Sequence, residues 1–594
     1  MRACTVWSLL LLGGACVTIV RADGWWDSTV VYQIYPRSFK DSNGDGIGDL
    51  NGITSKLQYL KDLGVDAIWL SPIFKSPMFD FGYDIADYRA IATEYGTMAD
   101  FDYLLAEANK LGIRVILDFV PNHTSHLANW FNQSVARNGV YTDYYMWADG
   151  KINATTGVTG PPSNWVSAFG KSAWEYNSVR GQYYLHQFAI QQPDLNYRSS
   201  IVRKEMEDVL RFWLDKGVSG FRVDAVNHMY EIDVNEAGEY LDEPVINAEL
   251  GPDAYDYLDH IYTKNRNETY DVVYDWRTIL DSYTTESKIM MTEGYTTLEM
   301  MMRYYGNGAR NGSMPFNFIF LGEITSTSTA TDIKTTIDKW MTNMPAGKIA
   351  NWVNGNHDNS RMATRQGVNR VDAMNMLALI LPGVSITYQG EELGMTDDFI
   401  SWADTKDPSA CNTDDPENFA SKSRDPERSP FHWDDTTNAG FTTGPTTWLP
   451  MASNYATVNV KVELAASRSH LHFYKDVVAL KHTPAVSTGD LTTNALSSTV
   501  LVVTRSASNS SIVGVINLLG SAQNVDLSSI TSVPDNLEVV ATGVACTLEK
   551  GATVQKSSTI SIPAYCAIAF KNSAYKVLTS SSLIYLLLYI LYSL

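Results

Sequence analysis

The sequence predicts an α/β protein: a (β/α)8 barrel with a long insert after the third strand and a C-terminal antiparallel β-sandwich domain. Three observations support this prediction. A helix–glycine–strand pattern occurs three times, eight apolar runs before residue 390 predict buried strands, and helical periodicity ends near Thr488. Alternating helices and buried strands are typical of a parallel sheet, and eight such strands are typical of this barrel.

Each copy of the repeated pattern has an amphipathic helix, a glycine and a β-branched run. The copies span residues 50–70, 97–117 and 201–224. Gly64, Gly112 and Gly217 follow the helices, where a left-handed residue ends a helix. Thr97 and Asp100 predict an N-cap with its acidic partner three residues later. Five further strands are predicted at 30–38, 288–293, 315–321, 349–354 and 384–389.

These elements divide the chain into a barrel and its additions. The predicted boundaries are a signal peptide at 1–22, the barrel at 23–121 and 198–485, an inserted subdomain at 122–197 between strand 3 and helix 3, a β domain at 486–572, and a lipid-attachment signal at 573–594. The β domain is predicted from short β-branched runs separated by Gly, Ser and Asn.

The two termini predict the compartment. Arg2, an apolar run over 6–20 and small residues before Asp23 are typical of a secretory signal. The apolar tail 583–594 is shorter than the roughly 20 residues that span a bilayer. Small residues from Asn572, a polar spacer and this tail predict a GPI anchor attached at Asn572, on the extracellular face of the plasma membrane. The alternative is a frayed or interfacial C-terminal helix.

Cysteines, sequons and charge agree with a secreted protein. Cys546 and Cys566 are predicted to form a disulfide, and Cys411 is predicted to be buried or unreactive. Possible glycosylation sites are Asn132, Asn153, Asn267, Asn311 and Asn509. The 45 basic and 66 acidic residues give a net charge of −21, which argues against nucleic acids and anionic membrane surfaces as partners. Aromatic residues make up 11%, which serves core packing or sugar stacking.

Side chains suited to acid–base chemistry stand at the C-terminal ends of four predicted strands. They are Asp118, Asn122 and His123; Arg222, Asp224 and His228; Glu293; and His357 and Asp358. In such barrels these ends form the active site. An Asp and a Glu on neighbouring strands can approach to about 5–5.5 Å, the separation used in retaining glycoside hydrolysis.

The same residues resemble a known family. Residues 118–123 (DFVPNH), 220–228 (GFRVDAVNH), 292–294 (TEG) and 356–359 (NHDN) are similar to the four conserved regions of the α-amylase family of glycoside hydrolases (glycoside hydrolase family 13). Residues 192–196 (QPDLN) resemble a fifth region of its α-glucosidase and oligo-1,6-glucosidase branch. With the anchor signal, the chain resembles the GPI-anchored insect maltases of the mosquito larval midgut.

The resemblance implies a role for each acid. Asp224 is the expected nucleophile, Glu293 the general acid/base, and Asp358 the third carboxylate, which grips substrate hydroxyls. Arg222 is expected to hold Asp224 ionised, because a nearby guanidinium lowers a carboxyl pKa. The resemblance also implies substrate-binding residues: Asp80 and Tyr83 below the terminal sugar, His123 and His357 on its hydroxyls, and Arg428 closing the pocket. Ala225, after the nucleophile, points to α-1,4 linkages.

A loop after the first predicted strand carries hard oxygen ligands. Asp41, Asn43, Asp45 and Asp49 supply side-chain oxygens and Ile47 a carbonyl oxygen, the ligand type that Ca²⁺ prefers. Gly52 stands where an EF-hand needs its glutamate, which excludes a standard EF-hand. The family has a one-calcium loop at this place, so a structural Ca²⁺ is expected. The alternative is an Asx-turn loop without metal.

The expected function is an exo-acting, retaining α-glucosidase (maltase) that releases terminal α-1,4-linked glucose from maltose and short malto-oligosaccharides. Sucrose is a further candidate substrate, and the sequence leaves maltose against sucrose open. The alternative is a catalytically inactive amylase-like ectodomain that binds a partner protein. The resemblance also implies a receptor role for a bacterial binary toxin, which no single residue encodes. The sequence leaves the oligomeric state open, with a homodimer as one alternative.

Overall fold

The computed structural model describes residues 24–152 and 157–573. Eight parallel strands form the barrel: β1 (Val30–Ile34), β2 (Ala67–Leu70), β3 (Arg114–Phe119), β4 (Gly220–Val223), β5 (Ile289–Thr292), β6 (Met314–Pro315), β7 (Asn351–Val353) and β8 (Val384–Tyr388). They pair in the order β6-β5-β4-β3-β2-β1-β8-β7. Asn351 connects the two end strands, because its Nδ2 donates to Pro315 O (2.6 Å) and its Oδ1 accepts from Asn317 N (2.8 Å). The predicted barrel is confirmed.

Helices follow most strands of the barrel, and further helices lie in the long segments between the eighth strand and the C-terminal domain. They are Leu50–Ser55, Leu57–Leu63, Met98–Lys110, Ser200–Lys216, Asn267–Asp281, Leu298–Arg303, Phe318–Glu323, Ala330–Asn343, Met362–Gln366, Val371–Ile380, Pro408–Cys411, Val460–Ala465, His470–Lys481 and Pro484–Ser487. Gly64 (φ 90°) and Gly217 (φ 102°) end their helices in the left-handed conformation. Thr97 and Asp100 form the predicted capping box. The glycine and capping signals are therefore confirmed.

Two predicted elements differ from the structure. The helix predicted over 50–63 is interrupted at Lys56 (φ −111°, ψ 4°) and becomes two short helices. The strand predicted over 315–321 stops at Pro315, and Phe318–Glu323 is a helix whose N-cap, Asn317, accepts a hydrogen bond from Phe320 N (3.2 Å). A short apolar run fits a buried strand or a buried helix equally well, and here the asparagine cap favours the helix.

The insert lies between β3 and helix Ser200–Lys216, as predicted. It contains helix Asn129–Val135, a three-stranded antiparallel sheet (Trp147–Ala148, Gln182–Leu185, Trp174–Asn177) and a strand pair (Lys151–Ile152, Thr159–Gly160). Trp165 and Trp174 stack in its own small core. An isolated bridge joins His123 to Asp194 and connects the insert to the end of β3. This bridge places the insert beside the barrel mouth.

The C-terminal domain is antiparallel. Its strands are β9 (Asp490–Ala495), β10 (Val500–Ala507), β11 (Ser510–Asn517), β12 (Gln523–Val525), β13 (Asn536–Thr542), β14 (Thr553–Gln555), β15 (Ile560–Ile562) and β16 (Ala567–Asn572). Six form a sheet in the order β9-β10-β11-β16-β13-β14, and β12 pairs with β15. Val525 and Ile562 share a core with Val513 and Phe570 of the larger sheet. The two layers confirm the predicted sandwich.

Cys546 and Cys566 form the predicted disulfide. Cys411 is exposed, so the prediction that it is buried is wrong, although desolvation raises the pKa of its thiol and disfavours the thiolate. The described sequon residues Asn132, Asn267, Asn311 and Asn509 are exposed. Asn153, the signal peptide and the apolar tail lie outside the described residues, and Asn572 is the last residue of β16.

Within residues 24–152 and 157–573, no helix combines the length and apolar character needed to cross a bilayer.

Candidate active site

A cavity of about 270 Å³ lies at the C-terminal ends of the barrel strands. It is lined by Asp80, Tyr83, His123, Phe169, Phe188, Gln192, Asp224, Ala225, Asn227, His228, Glu293, Tyr295, Asp358, Asn359 and Arg424. The three expected catalytic acids therefore line one cavity. They follow β4, β5 and β7, which is the barrel edge where the sequence predicted the chemistry.

Arg222 on β4 holds two of these acids together. Its Nη1 lies 2.5 Å from Asp224 Oδ1, and its Nη2 lies 2.6 Å from Glu293 Oε1. The parallel register places Arg222 opposite Asp118 of β3, whose Oδ1 lies 2.9 Å from Nη1. Arg222 is 1% exposed, so a single buried guanidinium contacts all three carboxyl groups.

The pKa of Asp224 is raised well above its ordinary value. Burial is the main cause, and the neighbouring Glu293 and Asp118 raise the pKa further, whereas Arg222 lowers it. Arg222, which was expected to hold Asp224 ionised, lowers this pKa by itself, but burial and the two carboxyl groups outweigh its contribution. Burial likewise raises the pKa of Asp118 to about 6.

Asp358 has the opposite balance. Burial raises its pKa, but His357, Arg424 and Arg428 together hold it well below the ordinary value. Its Oδ1 lies 2.8 Å from Arg428 Nη2 and 3.1 Å from Arg424 Nη1. Asp358 is therefore ionised and can accept hydrogen bonds from sugar hydroxyls.

Arg424 lines the cavity, a position that sequence reasoning missed. Its guanidinium pairs with Asp80 Oδ1 (3.0 Å) and Asp407 Oδ1 (2.6 Å) and lies over the ring of Phe169. Arg428, predicted to close the pocket, is instead fully buried behind Asp358, where its Nε donates to His357 O (2.8 Å). Both arginines stand in the run 424–428, and only the fold shows which one reaches the cavity.

Of the other predicted binding residues, three line the cavity and one is buried behind it. Asp80, Tyr83 and His123 line the cavity. His357 is 0% exposed and lies behind Tyr83, with 2.7 Å between Tyr83 Oη and His357 Nε2. Burial lowers the pKa of His357 well below its ordinary value, so the ring is neutral. It supports Tyr83 and Asp358 and does not itself line the cavity.

Further lining residues escaped the sequence analysis. They are Phe169, Phe188, Gln192, Asn227, Tyr295 and Asn359. Gln192 stands in the quoted 192–196 motif; its Nε2 donates to Asp80 Oδ2 and lies 3.1 Å from His123 Nε2. Tyr295 follows Glu293 by two residues, and its ring stacks on Phe318. For the phenylalanines of the insert, no spacing in the sequence indicated which would meet the barrel.

Ala225 has a left-handed backbone, with φ 45°. Its N–H donates to Glu293 Oε2 (3.1 Å), so the strained turn after Asp224 also orients the neighbouring acid. Ala225 itself lines the cavity. The residue that the family resemblance associates with linkage preference therefore lines the space where a substrate would lie.

The loop 41–49 forms a series of Asx turns. Asp41 Oδ1 accepts from Asn43 N and Gly44 N, Asn43 Oδ1 from Asp45 N, and Asp45 Oδ1 from Ile47 N. Asp49 caps helix Leu50–Ser55 by accepting from Gly52 N (2.7 Å). Across the described ranges, no three acidic, histidine or cysteine side chains converge as a metal cluster.

Comparisons with known proteins agree with this geometry. Residues 33–489 match the family model for the α-amylase catalytic domain. The chain is 51% identical to Maltase A1 of Drosophila melanogaster over 92% of this chain and 96% of that protein. It is 50% identical to a salivary alpha-glucosidase of Anopheles gambiae, over 78% of this chain and 79% of that protein.

Two further matches bear on the alternatives. The human amino acid transporter heavy chain SLC3A1 is 41% identical over 80% of this chain and 68% of that protein. The crystal structure of the trehalulose synthase MutB from Pseudomonas mesoacidophila superposes with a TM-score of 0.80 at 32% identity, covering 92% of this chain and 99% of that one. The family model, the high identities and the barrel architecture agree, and the chain belongs to the α-amylase family of glycoside hydrolases.

Proposed function

We propose that this protein is an exo-acting α-glucosidase that releases terminal α-1,4-linked glucose from maltose and short malto-oligosaccharides. Sucrose, in which the α-glucose is joined to fructose, is a further candidate substrate. The observation that supports it most is the pairing of Asp224 and Glu293 on the single guanidinium of Arg222, inside a cavity of about 270 Å³. Acidic and aromatic lining residues fit a sugar ring, which needs hydroxyl partners and an apolar face. Ala225 favours α-1,4 linkages.

The proposed mechanism is a double displacement. The Asp224 carboxylate attacks the anomeric carbon while Glu293 donates its proton to the leaving glycosidic oxygen, so the C–O bond breaks and a glycosyl ester forms. Glu293, now a carboxylate, takes a proton from water, whose oxygen attacks the anomeric carbon and releases Asp224. Arg222 keeps both carboxyl groups in place through the two steps.

The decisive experiment compares the unmutated protein with Asp224→Asn on maltose, sucrose and isomaltose. We expect glucose from maltose, little from isomaltose, and a loss of more than about a thousandfold in the variant. Proton NMR of early product should show the α-anomer. No glucose from any substrate would reject the enzyme, and the β-anomer would reject the double displacement.

The rival function is that of an inactive, partner-binding ectodomain. The match to a transporter heavy chain is the observation that raises it. Against it, all three carboxylates line the cavity, and Asp224 and Glu293 keep their arginine. The substrate assay separates the two functions.

We also propose that the loop 41–49 binds a structural Ca²⁺ through Asp41, Asn43, Asp45, the Ile47 carbonyl and Asp49. The donors are all hard oxygens, which fit calcium. Burial raises the pKa of Asp41, but hydrogen bonds from Thr442 and from loop amides lower that pKa to below its ordinary value. The Asp41 side chain is therefore anionic. The ion would hold the loop and supply no step of the reaction. Calcium should raise the thermal midpoint of the unmutated protein and not of Asp45→Ala; equal midpoints would reject the site.

We propose a GPI anchor attached at Asn572, which places the protein on the extracellular face of the plasma membrane. The support is the sequence of the two termini. Phosphatidylinositol-specific phospholipase should release the protein from membranes, and continued attachment would favour an intact hydrophobic tail. By resemblance, we further propose that the anchored protein binds a bacterial binary toxin; cells displaying the full chain should then bind labelled toxin, and equal binding to control cells would reject this.

A further inference from the structure

His228 lies on the side of the cavity where the leaving sugar would sit, if the proposed function is right. It ends the short 3-10 helix Val226–His228, four residues after Asp224, and lines the cavity beside Asn227. Val226 N donates to Glu293 O (3.1 Å) and Asn227 Nδ2 donates to Tyr295 O (3.5 Å), so the segment that carries His228 packs against the segment that carries Glu293. Because Glu293 protonates the leaving oxygen, the leaving glucose is expected beside this pair of segments.

The side chain of Gln187, from the insert, holds His228 at two points. Gln187 Nε2 lies 2.7 Å from His228 O, 2.8 Å from Asp194 Oδ2 and 3.0 Å from Glu231 Oε1. A backbone carbonyl oxygen can only accept a hydrogen bond. The nitrogen of the Gln187 amide must therefore face it, and this fixes which way the amide points.

The orientation of Gln187 decides the tautomer of His228. Gln187 Oε1 lies 2.8 Å from His228 Nδ1 and can only accept, so Nδ1 carries the hydrogen. Burial lowers the pKa of His228 well below its ordinary value, with further lowering from Lys264, His260 and His123, so the ring is neutral. Its Nε2 therefore has a free lone pair. Over the described residues, no protein group hydrogen-bonds to that nitrogen.

The support for this arrangement is rigid. Gln187, Asp194 and Glu231 are each at most 5% exposed. Asp194 Oδ1 also accepts from Gln187 N and from Asn122 Nδ2, both at 3.2 Å. Ring flips of His228 would place a C–H against Gln187 Oε1, which such a buried network disfavours.

We propose that Gln187 is a positioning residue: it fixes His228 in the Nδ1–H tautomer and thereby presents Nε2 as a permanent acceptor for a hydroxyl of the leaving glucose. An acceptor held in this way distinguishes a sugar leaving group from one that has no hydroxyl. A site built to bond a substrate hydroxyl discriminates strongly against analogues that lack it.

The test compares two substrates that differ in the leaving group. The leaving group of maltose is glucose, whereas the leaving group of p-nitrophenyl α-glucoside is p-nitrophenol, which has no sugar hydroxyl. We expect Gln187→Met to lower the ratio of the two kcat/KM values, maltose over aryl glucoside, about tenfold, the value of one hydrogen bond. Lys171→Ala, which removes an exposed lysine of the insert, is the control and should keep the ratio.

A pair of variants at His228 tests the same idea without touching Gln187. His228→Asn keeps a donor near Gln187 but has no acceptor at the Nε2 position, and it should lower the ratio about tenfold. His228→Gln places an amide oxygen near that position and should restore most of it. An equal loss on both substrates in Gln187→Met, or an unchanged ratio in His228→Asn, would overturn the proposal. Failure of the unmutated protein on both substrates would instead reject the proposed function.

Discussion

Arg424 is the residue whose removal tests the site most directly. Its Nη2 lies 3.0 Å from Asp80 Oδ1 and its Nη1 lies 3.1 Å from Asp358 Oδ1. Asp358 keeps a second arginine, Arg428, at 2.8 Å. Within the described residues, the side chain of Asp80 then keeps a hydrogen bond from the neutral amide of Gln192 and the weaker electrostatic influence of Arg428. Arg424 also pairs with the buried Asp407, which does not line the cavity. Among the acids that line the cavity, replacement of Arg424 by alanine should therefore act mainly on Asp80.

The size of the effect follows from these contacts. Burial raises the pKa of Asp80, and among the neighbouring groups Arg424 lowers this pKa most. A guanidinium this close lowers a carboxyl pKa by about one to three units, each worth about 1.4 kcal/mol. Without Arg424, Asp80 protonates at a higher pH and stops accepting a sugar hydroxyl. The acid limb of kcat/KM should move up by at least about one pH unit.

The assay is glucose release from maltose, followed from pH 4 to pH 8 for the unmutated protein, Arg424→Ala and Arg424→Lys. The lysine variant keeps the charge but not the fork that contacts three carboxylates, so its shift should be smaller. Lys171→Ala, whose partner Asp414 is also exposed, is the control and should match the unmutated profile. An acid limb that stays in place in Arg424→Ala would refute the reasoning.

Three further outcomes are expected. Gly220→Ala should abolish soluble expression, because a Cβ there would lie 2.0 Å from Ile289 O between two barrel strands; normal yield and activity would contradict this. Burial raises the pKa of Glu231 from 4.5 to about 8, so between these pH values the folded protein holds a proton that the unfolded chain has released. The free energy of unfolding should therefore fall by about 1.4 kcal/mol per pH unit as the pH rises from 4.5 to 8. Urea unfolding of Glu231→Gln should lack this slope. Replacement of Cys546 and Cys566 by alanine should cost about 3 kcal/mol by chain entropy, measured by urea unfolding, whereas an unchanged midpoint would show that the disulfide is dispensable.

The barrel was predictable because its signals are local. Gly64 and Gly217 end helices by their own backbone freedom, and Thr97 caps its helix within one turn. The sixth strand was predicted incorrectly over 315–321 because a short apolar run has no period of its own, and the Asn317 cap was overlooked. Local sequence signals thus predicted most helices and strands correctly. They gave a wrong prediction where a short apolar run was compatible with both a buried strand and a buried helix.

Local sequence patterns were enough to predict the barrel, the disulfide partners and the acids Asp224, Glu293 and Asp358, because the acids stand at strand ends that meet at one edge of the barrel. Packing between distant segments, in contrast, places Arg424 and not Arg428 at the cavity and brings Gln187 of the insert to His228. These contacts join residues far apart in the chain, and neither hydrophobic periodicity nor a local capping motif predicts a contact between such distant residues. The electrostatics of Asp224 are also tertiary: Arg222, two residues away, lowers its pKa, whereas burial, which only the packed barrel supplies, raises it.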